Sequence, residues 1–206
     1  MHPSRVSILV VACALAAAGC SATRGLIGPD PVVDAPLGIV AVLPIERELS
    51  AGIDRLPPRT ERIVTAHVYG ALTDSSRWRF VPPMTVEDAL SGISSVYDVV
   101  DRAQALGEAV DAEAVIAGRL SRFVERVGSD YGADAPASVA FELMLVETSS
   151  GDVLWRGEFD ETQESLSTNL LKFWQFWRGG PRWFSASEFV ELGVDRLIED
   201  LEAHLP

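Results

Sequence analysis

SVAFELMLVETSSGDVLWRGEFD, from Ser138 to Asp160, decides the fold. Val139, Phe141, Leu143 and Leu145 recur at every second position, the period of a strand whose successive side chains point to opposite faces. One face is therefore expected on a core, with Ser138 and Glu142 turned away, as in a half-buried antiparallel strand. TSSGD, Thr148 to Asp152, is a run of small, turn-forming residues that reverses the chain. Beyond it Val153, Trp155 and Phe159 alternate with Arg156, Glu158 and Asp160, which completes a hairpin.

Upstream, AEAVIAGRLSRFVERVG (Ala112 to Gly128) shows the same period less cleanly and predicts a neighbouring strand. Before it the period is helical. Val100, Ala103, Leu106 and Val110 mark a helix over Tyr97 to Val110, and Thr85 with Asp88 resembles the cap of a shorter one. WRFVPP, Trp78 to Pro83, reads as a brief strand stopped by prolines. Pro57 and Pro58 open a helix reaching about Asp74, with Val64, Val68, Ala71 and Leu72 on one stripe. LGIVAVLPIE, Leu37 to Glu46, is short, apolar and rich in β-branched residues, the pattern of a central strand covered on both faces. Downstream, SASEFVELGVDRLIEDLEAHL carries a capping box, Ser185 with Glu188, and a stripe of Val190, Val194, Leu197, Leu201 and Leu205. The whole predicts one α/β domain, a mixed sheet packed by helices.

The first twenty residues, MHPSRVSILVVACALAAAGC, place Arg5 ahead of an apolar run from Val6 to Ala18. That run is too short to span a bilayer and suits the core of a signal peptide. It ends in AAGC, small residues before a thiol, as a lipoprotein signal peptidase requires. Residues 1–19 are thus expected to be removed and Cys20 to carry the lipid, acyl chains such as palmitate. Ala17 in place of leucine leaves an ordinary secretory peptide, cut nearby, as the alternative. Ser21 rather than Asp after Cys20 points to the outer membrane, facing the periplasm. Residues 20–36 include three prolines and two glycines without periodicity and read as a flexible tether. Residues 37–206 form the domain.

Cys13 and Cys20 are the only cysteines, and both lie at this end of the chain, so a domain from Leu37 onward has no disulfide and must rest on an apolar core. Removing residues 1–19 takes away one cation and no acid, leaving 16 Lys and Arg against 30 acids, a net charge of −14. Such a chain is repelled by nucleic acid and by anionic headgroups, which discounts both as principal partners.

Catalytic patterns are missing from the sequence. His67 lies mid-helix and His204 two residues from the end, so neither reads as the base of a Ser-His-Asp enzyme, and SGISSV (Ser91 to Val96) is not a nucleophile elbow. No Cys/His cluster, calcium loop, P-loop or G-x-G-x-x-G occurs, so neither a metal nor a cofactor is expected. Glu158, Asp160, Glu161 and Glu164 form an acidic group, but alternation puts Glu158 and Asp160 side by side on a solvent face. This does not resemble the facing pair of a glycosidase. The expectation is a protein that is not an enzyme.

One segment stands apart. LSTNLLKFWQFWRGGPRWF, Leu166 to Phe184, holds three of the five tryptophans and three phenylalanines. Phe173, Trp174, Phe176, Trp177 and Trp183 are the candidate partner-binding residues, because rings with a polar edge suit a protein groove or a membrane interface. The competing reading places these rings in the core, with Lys172, Gln175 and Arg178 wetted.

VAVLPIE on the first strand and LGEAVDAEAVIAGRLSRF before and along the third resemble bacterial envelope lipoproteins related to the curli-secretion lipoprotein and to the N-terminal domain of the Tol-system β-propeller protein. PASVAFELMLVETSSGDVLWRGEFDETQESLSTNLL is similar to uncharacterised periplasmic lipoproteins that share a tryptophan strand followed by FDETQ. The resemblance covers about two thirds of the chain after Cys20. It implies a layer architecture like that of anticodon-binding domains and the Tol domain, and an envelope location. Its motifs carry no catalytic residues. The expected role is an accessory or assembly factor acting through an envelope protein partner, with the subunit of an oligomeric outer-membrane secretion complex as the alternative. The membrane hairpins of the curli pore have no counterpart in this sequence.

Overall fold

Val40 and Val42 point to one side of their strand, Ala41 and Leu43 to the other, and all four are fully buried. Such a strand needs cover on both faces. The computed structural model describes residues 37–48, 56–74, 78–94, 98–129, 132–163 and 183–205. Their order is β1 (Ile39–Val42), β2 (Glu46–Arg47), α1 (Thr60–Asp74), β3 (Arg79–Phe80), α2 (Pro83–Leu90), α3 (Val99–Val110), β4 (Ala114–Val124), β5 (Val127–Ser129), β6 (Gly132–Ala135), β7 (Ser138–Glu147), β8 (Val153–Thr162) and α4 (Ala186–His204).

The main sheet runs β3-β1-β4-β7-β8, with β2 also paired to β4. β1 lies parallel to β3 and β4, while β4, β7 and β8 are successively antiparallel. This is the expected mixed sheet in a single α/β domain. β5 and β6 form a separate two-stranded hairpin that the sequence reading did not anticipate.

Two cores flank the sheet. On one face Val40, Ile116, Phe141, Leu143, Leu145 and Trp155 meet Val64, Val68 and Leu72 of α1 and Val190, Val194, Leu197 and Leu201 of α4. On the other, Ala41, Leu43, Val115, Ala117, Met144 and Val146 meet Val86 of α2 and Val99, Ala103 and Leu106 of α3. Each fully buried Val, Leu or Phe stabilises the fold by about 1.5–3 kcal/mol relative to an exposed one.

Local signals set the helix ends. The Asp98 side chain accepts from the Val100 amide and starts α3. Asp111 ends it in the left-handed region at φ 54°, a conformation that a short polar side chain tolerates. Ser185 and Glu188 form the complete capping box of α4.

Several expectations change. β7 is not half-buried: Met144 and Val146 are as inaccessible as Leu143, because α3 covers its second face near the hairpin. Ser138, expected in solvent, is 8% exposed, held by the Arg122 Nε and by Thr162 Oγ1 at 2.6 and 2.5 Å. A bulge opposite Leu145 and Val146 puts Leu154 beside Trp155 in the first core and moves Val153 to the second. Thr85 and Asp88 lie inside α2, which starts at Pro83 after an N-cap Pro82 without a side-chain cap. Proline at the first helical turn is favourable because its missing N–H would be unpaired there anyway.

Candidate functional site

The second sheet face changes character where α3 begins. Beyond Asp98 the strands carry a ladder of charges. Arg119 of β4 pairs with Asp98 at 2.6 Å and approaches Glu142 of β7 at 3.8 Å. Glu142 also accepts from Arg156 of β8 at 2.8 Å. Arg122 pairs with Asp160, and Arg102 of α3 with Glu46 of β2. Donation from the Val100 amide, joined by the Arg119 guanidinium, holds the Asp98 carboxyl below the usual carboxylate range. The pairs stand in partial solvent, where each stabilises by roughly 0.2–1 kcal/mol.

A second feature gathers at the start of α4. Arg126 Nη1 donates to the Trp183 carbonyl at 2.8 Å, and the Glu125 carboxylate accepts from the Ala186 amide at 3.1 Å. The carboxylate thereby satisfies a free donor at the positive end of a helix. The buried Gln163 accepts from the Phe184 backbone N–H through Oε1 at 2.7 Å, while its backbone N–H donates to the Ala137 carbonyl at 3.0 Å. Rings continue inward from this corner: Phe184 to Phe189 at 5.7 Å, Phe189 to Phe159 at 6.2 Å and Phe159 to Phe141 at 5.5 Å. Beside Glu125 and Arg126, Val124 and Val127 are 46% and 57% exposed.

Of the sequence-designated residues, Trp183 sits in this corner, half-buried. Cys20, Phe173, Trp174, Phe176 and Trp177 lie outside the described residues. Val124 and Val127 escaped sequence reasoning, because an apolar residue in a strand is ordinarily assigned to the core. The Arg119, Glu142 and Arg156 ladder escaped it too, since its members meet only across strands.

Nothing in the geometry assembles a reaction centre from these groups. Glu158 and Asp160 are neighbours on an exposed row, and Asp160 is neutralised by Arg122. His67 is half-buried between helices, its Nε2 3.5 Å from Ser187 Oγ, and His204 is exposed. Burial, with Glu87 nearby, pushes the Tyr69 phenol up to about 12, and its hydroxyl donates to the Val42 carbonyl at 3.3 Å. Among the described residues no three His, Cys, Asp or Glu side chains group to hold a metal ion. No helix among them is long and apolar enough to cross a membrane.

No family model matches the chain, and no curated protein matches it. Solved structures that align with it include the PelC dodecamer from Paraburkholderia phytofirmans, at 17% identity and a TM-score of 0.46, covering 84% of this chain and 91% of that one. The LpoB C-terminal domain from Escherichia coli aligns at 15% identity and a TM-score of 0.44, covering 63% and 87%. Lipoprotein GNA1162 from Neisseria meningitidis aligns at 14% identity and a TM-score of 0.49, covering 81% and 99%. The expected likeness to the curli-secretion lipoprotein and the Tol domain is not shown by these structures.

Proposed function

We propose that the chain is a lipid-anchored lipoprotein of the bacterial outer membrane, facing the periplasm and acting without catalysis as an accessory or assembly factor through protein contacts. The observation that carries this reading is the leader, an apolar run from Val6 to Ala18 that ends in AAGC at Cys20. In this reading residues 1–19 are removed, residues 20–36 tether the lipid to the domain, and residues 37–206 form the working body. Two acyl chains suffice for stable anchoring, where one gives only reversible binding.

The partner surface is assigned to Phe173, Trp174, Phe176 and Trp177 together with Trp183. The corner around Trp183 supports this assignment, because Val124 and Val127 extend apolar surface into solvent there. Large rings at the centre of a contact, with polar groups at the rim, are where binding energy concentrates.

Labelling with radioactive palmitate and membrane fractionation test the anchor. The native chain should take up label and sediment with outer membranes, whereas Cys20→Ala should do neither; label on the variant would sink the reading. In vivo crosslinking from a photoreactive residue at position 174 tests the surface. One envelope protein in the adduct supports the accessory role, self-adducts alone favour an oligomeric secretion complex, and no adduct returns the tryptophans to the core.

A further inference from the structure

β8 is the last strand of the main sheet and pairs on one side only, with β7. It is ten residues long, and the backbone groups on its outer side have no strand partner among the described residues. A long open edge is a template for another strand, which proteins usually block with proline, charged side chains (lysine above all) or bulges. Val153 to Thr162 contains neither proline nor lysine, and its one irregularity lies at the hairpin end, opposite Leu145 and Val146.

Charge selects what the edge can accept. The exposed row nearest an incoming strand is Arg156, Glu158 and Asp160. Arg156 is turned inward to Glu142 and Asp160 to Arg122. Glu158 stands opposite Glu142 in the register and has no ion-pair partner among the described residues. A second copy pairing through its own β8 would bring to Glu158 only an arginine already held by its own Glu142, together with more acid. Like charges facing each other across strands are destabilising, and opposite ones stabilise by about 0.2–1 kcal/mol per pair.

We infer that the β8 edge is a docking site for an extended segment of a partner protein that carries lysine or arginine at alternate positions. Main-chain hydrogen bonds to β8 hold the segment, and a cation beside Glu158 sets its register. This deepens the reading of the chain as a protein-contact factor, and it rests on that reading only for its biological setting.

The test uses the purified mature chain in detergent with two synthetic ten-residue peptides, one alternating lysine with valine and one alternating glutamate with valine. Hydrogen exchange of the β8 amides is followed with each. The lysine peptide should protect amides of β8, the glutamate peptide should not, and Glu158→Lys should weaken binding of the lysine peptide at least tenfold. Glu158 is exposed, and an unchanged unfolding midpoint confirms that the variant is folded. Equal protection by both peptides, protection confined to other strands, no protection, or protection in the free chain of the outward β8 amides that do not bond to β7 would each overturn the inference. None of these outcomes bears on Cys20 or on the position-174 crosslink, so this proposal and the preceding one fail separately.

Discussion

The two faces of β7 contrast in what covers them. On one, Val139, Phe141, Leu143 and Leu145 are all buried, because α1 and α4 lie along the sheet. On the other, Val146 and Met144 are fully buried beneath α3, but Glu142 joins an arginine ladder once the helix has ended. Further along that face Ala140 and Ser138 are buried again, Ser138 against Arg122. Asp98 stands at the border, capping α3 with one carboxylate oxygen and pairing with Arg119 through the other. Hydrophobic stabilisation belongs to the area a helix removes from water, while the ladder works in partial solvent where charges are screened.

The largest break in the comparison should come from Phe141→Ala. The ring is 1% exposed and packs against Phe159, so its loss should cost about 3–5 kcal/mol in denaturant unfolding. Gly193→Ala attacks the same core from α4. A Cβ there would lie 2.7 Å from Phe159 Cγ and 2.9 Å from Phe141 Cζ, and such overpacking should cost about 1–3 kcal/mol. Ser185→Ala removes half of the capping box that starts the covering helix, a loss of about 0.5–2 kcal/mol.

Glu142→Gln sharpens the contrast from the charged side. It should change stability by no more than about 1 kcal/mol, with the difference shrinking as salt is added. A loss as large as that of Phe141→Ala would show the ladder to be structural. The smallest effect concerns Tyr69. Its folded pKa, about 12, lies above the ordinary 10.0, so its contribution is intact below pH 10 and is lost as pH rises towards 12. Ultraviolet titration should find a late phenolate, and Tyr69→Phe should remove it.

Much of the fold was legible because it is written in local periods. The alternation of Val139 to Leu145, the Thr148 to Asp152 reversal, the Ser185 and Glu188 box and the stripes of Val64, Val68 and Leu72 all appear where the sequence placed them. The candidate site was legible as a composition, an aromatic segment, and only Trp183 of it falls among the described residues. Its setting was not legible: the Arg126 and Gln163 contacts join residues 57 and 21 positions apart.

The sequence by itself determined the longer strands and helices, one apolar face of β7, α1 and α4, the cap of α4 and the pattern of a lipoprotein leader. Only the tertiary structure decided that Met144 and Val146 are core and Glu142 is not, that Leu154 shares a face with Trp155, and that β8 is left as the outer strand. The reason is physical. Periodicity records that one side of an element leaves water, whereas the fate of its other side depends on distant elements whose length and position no local pattern encodes.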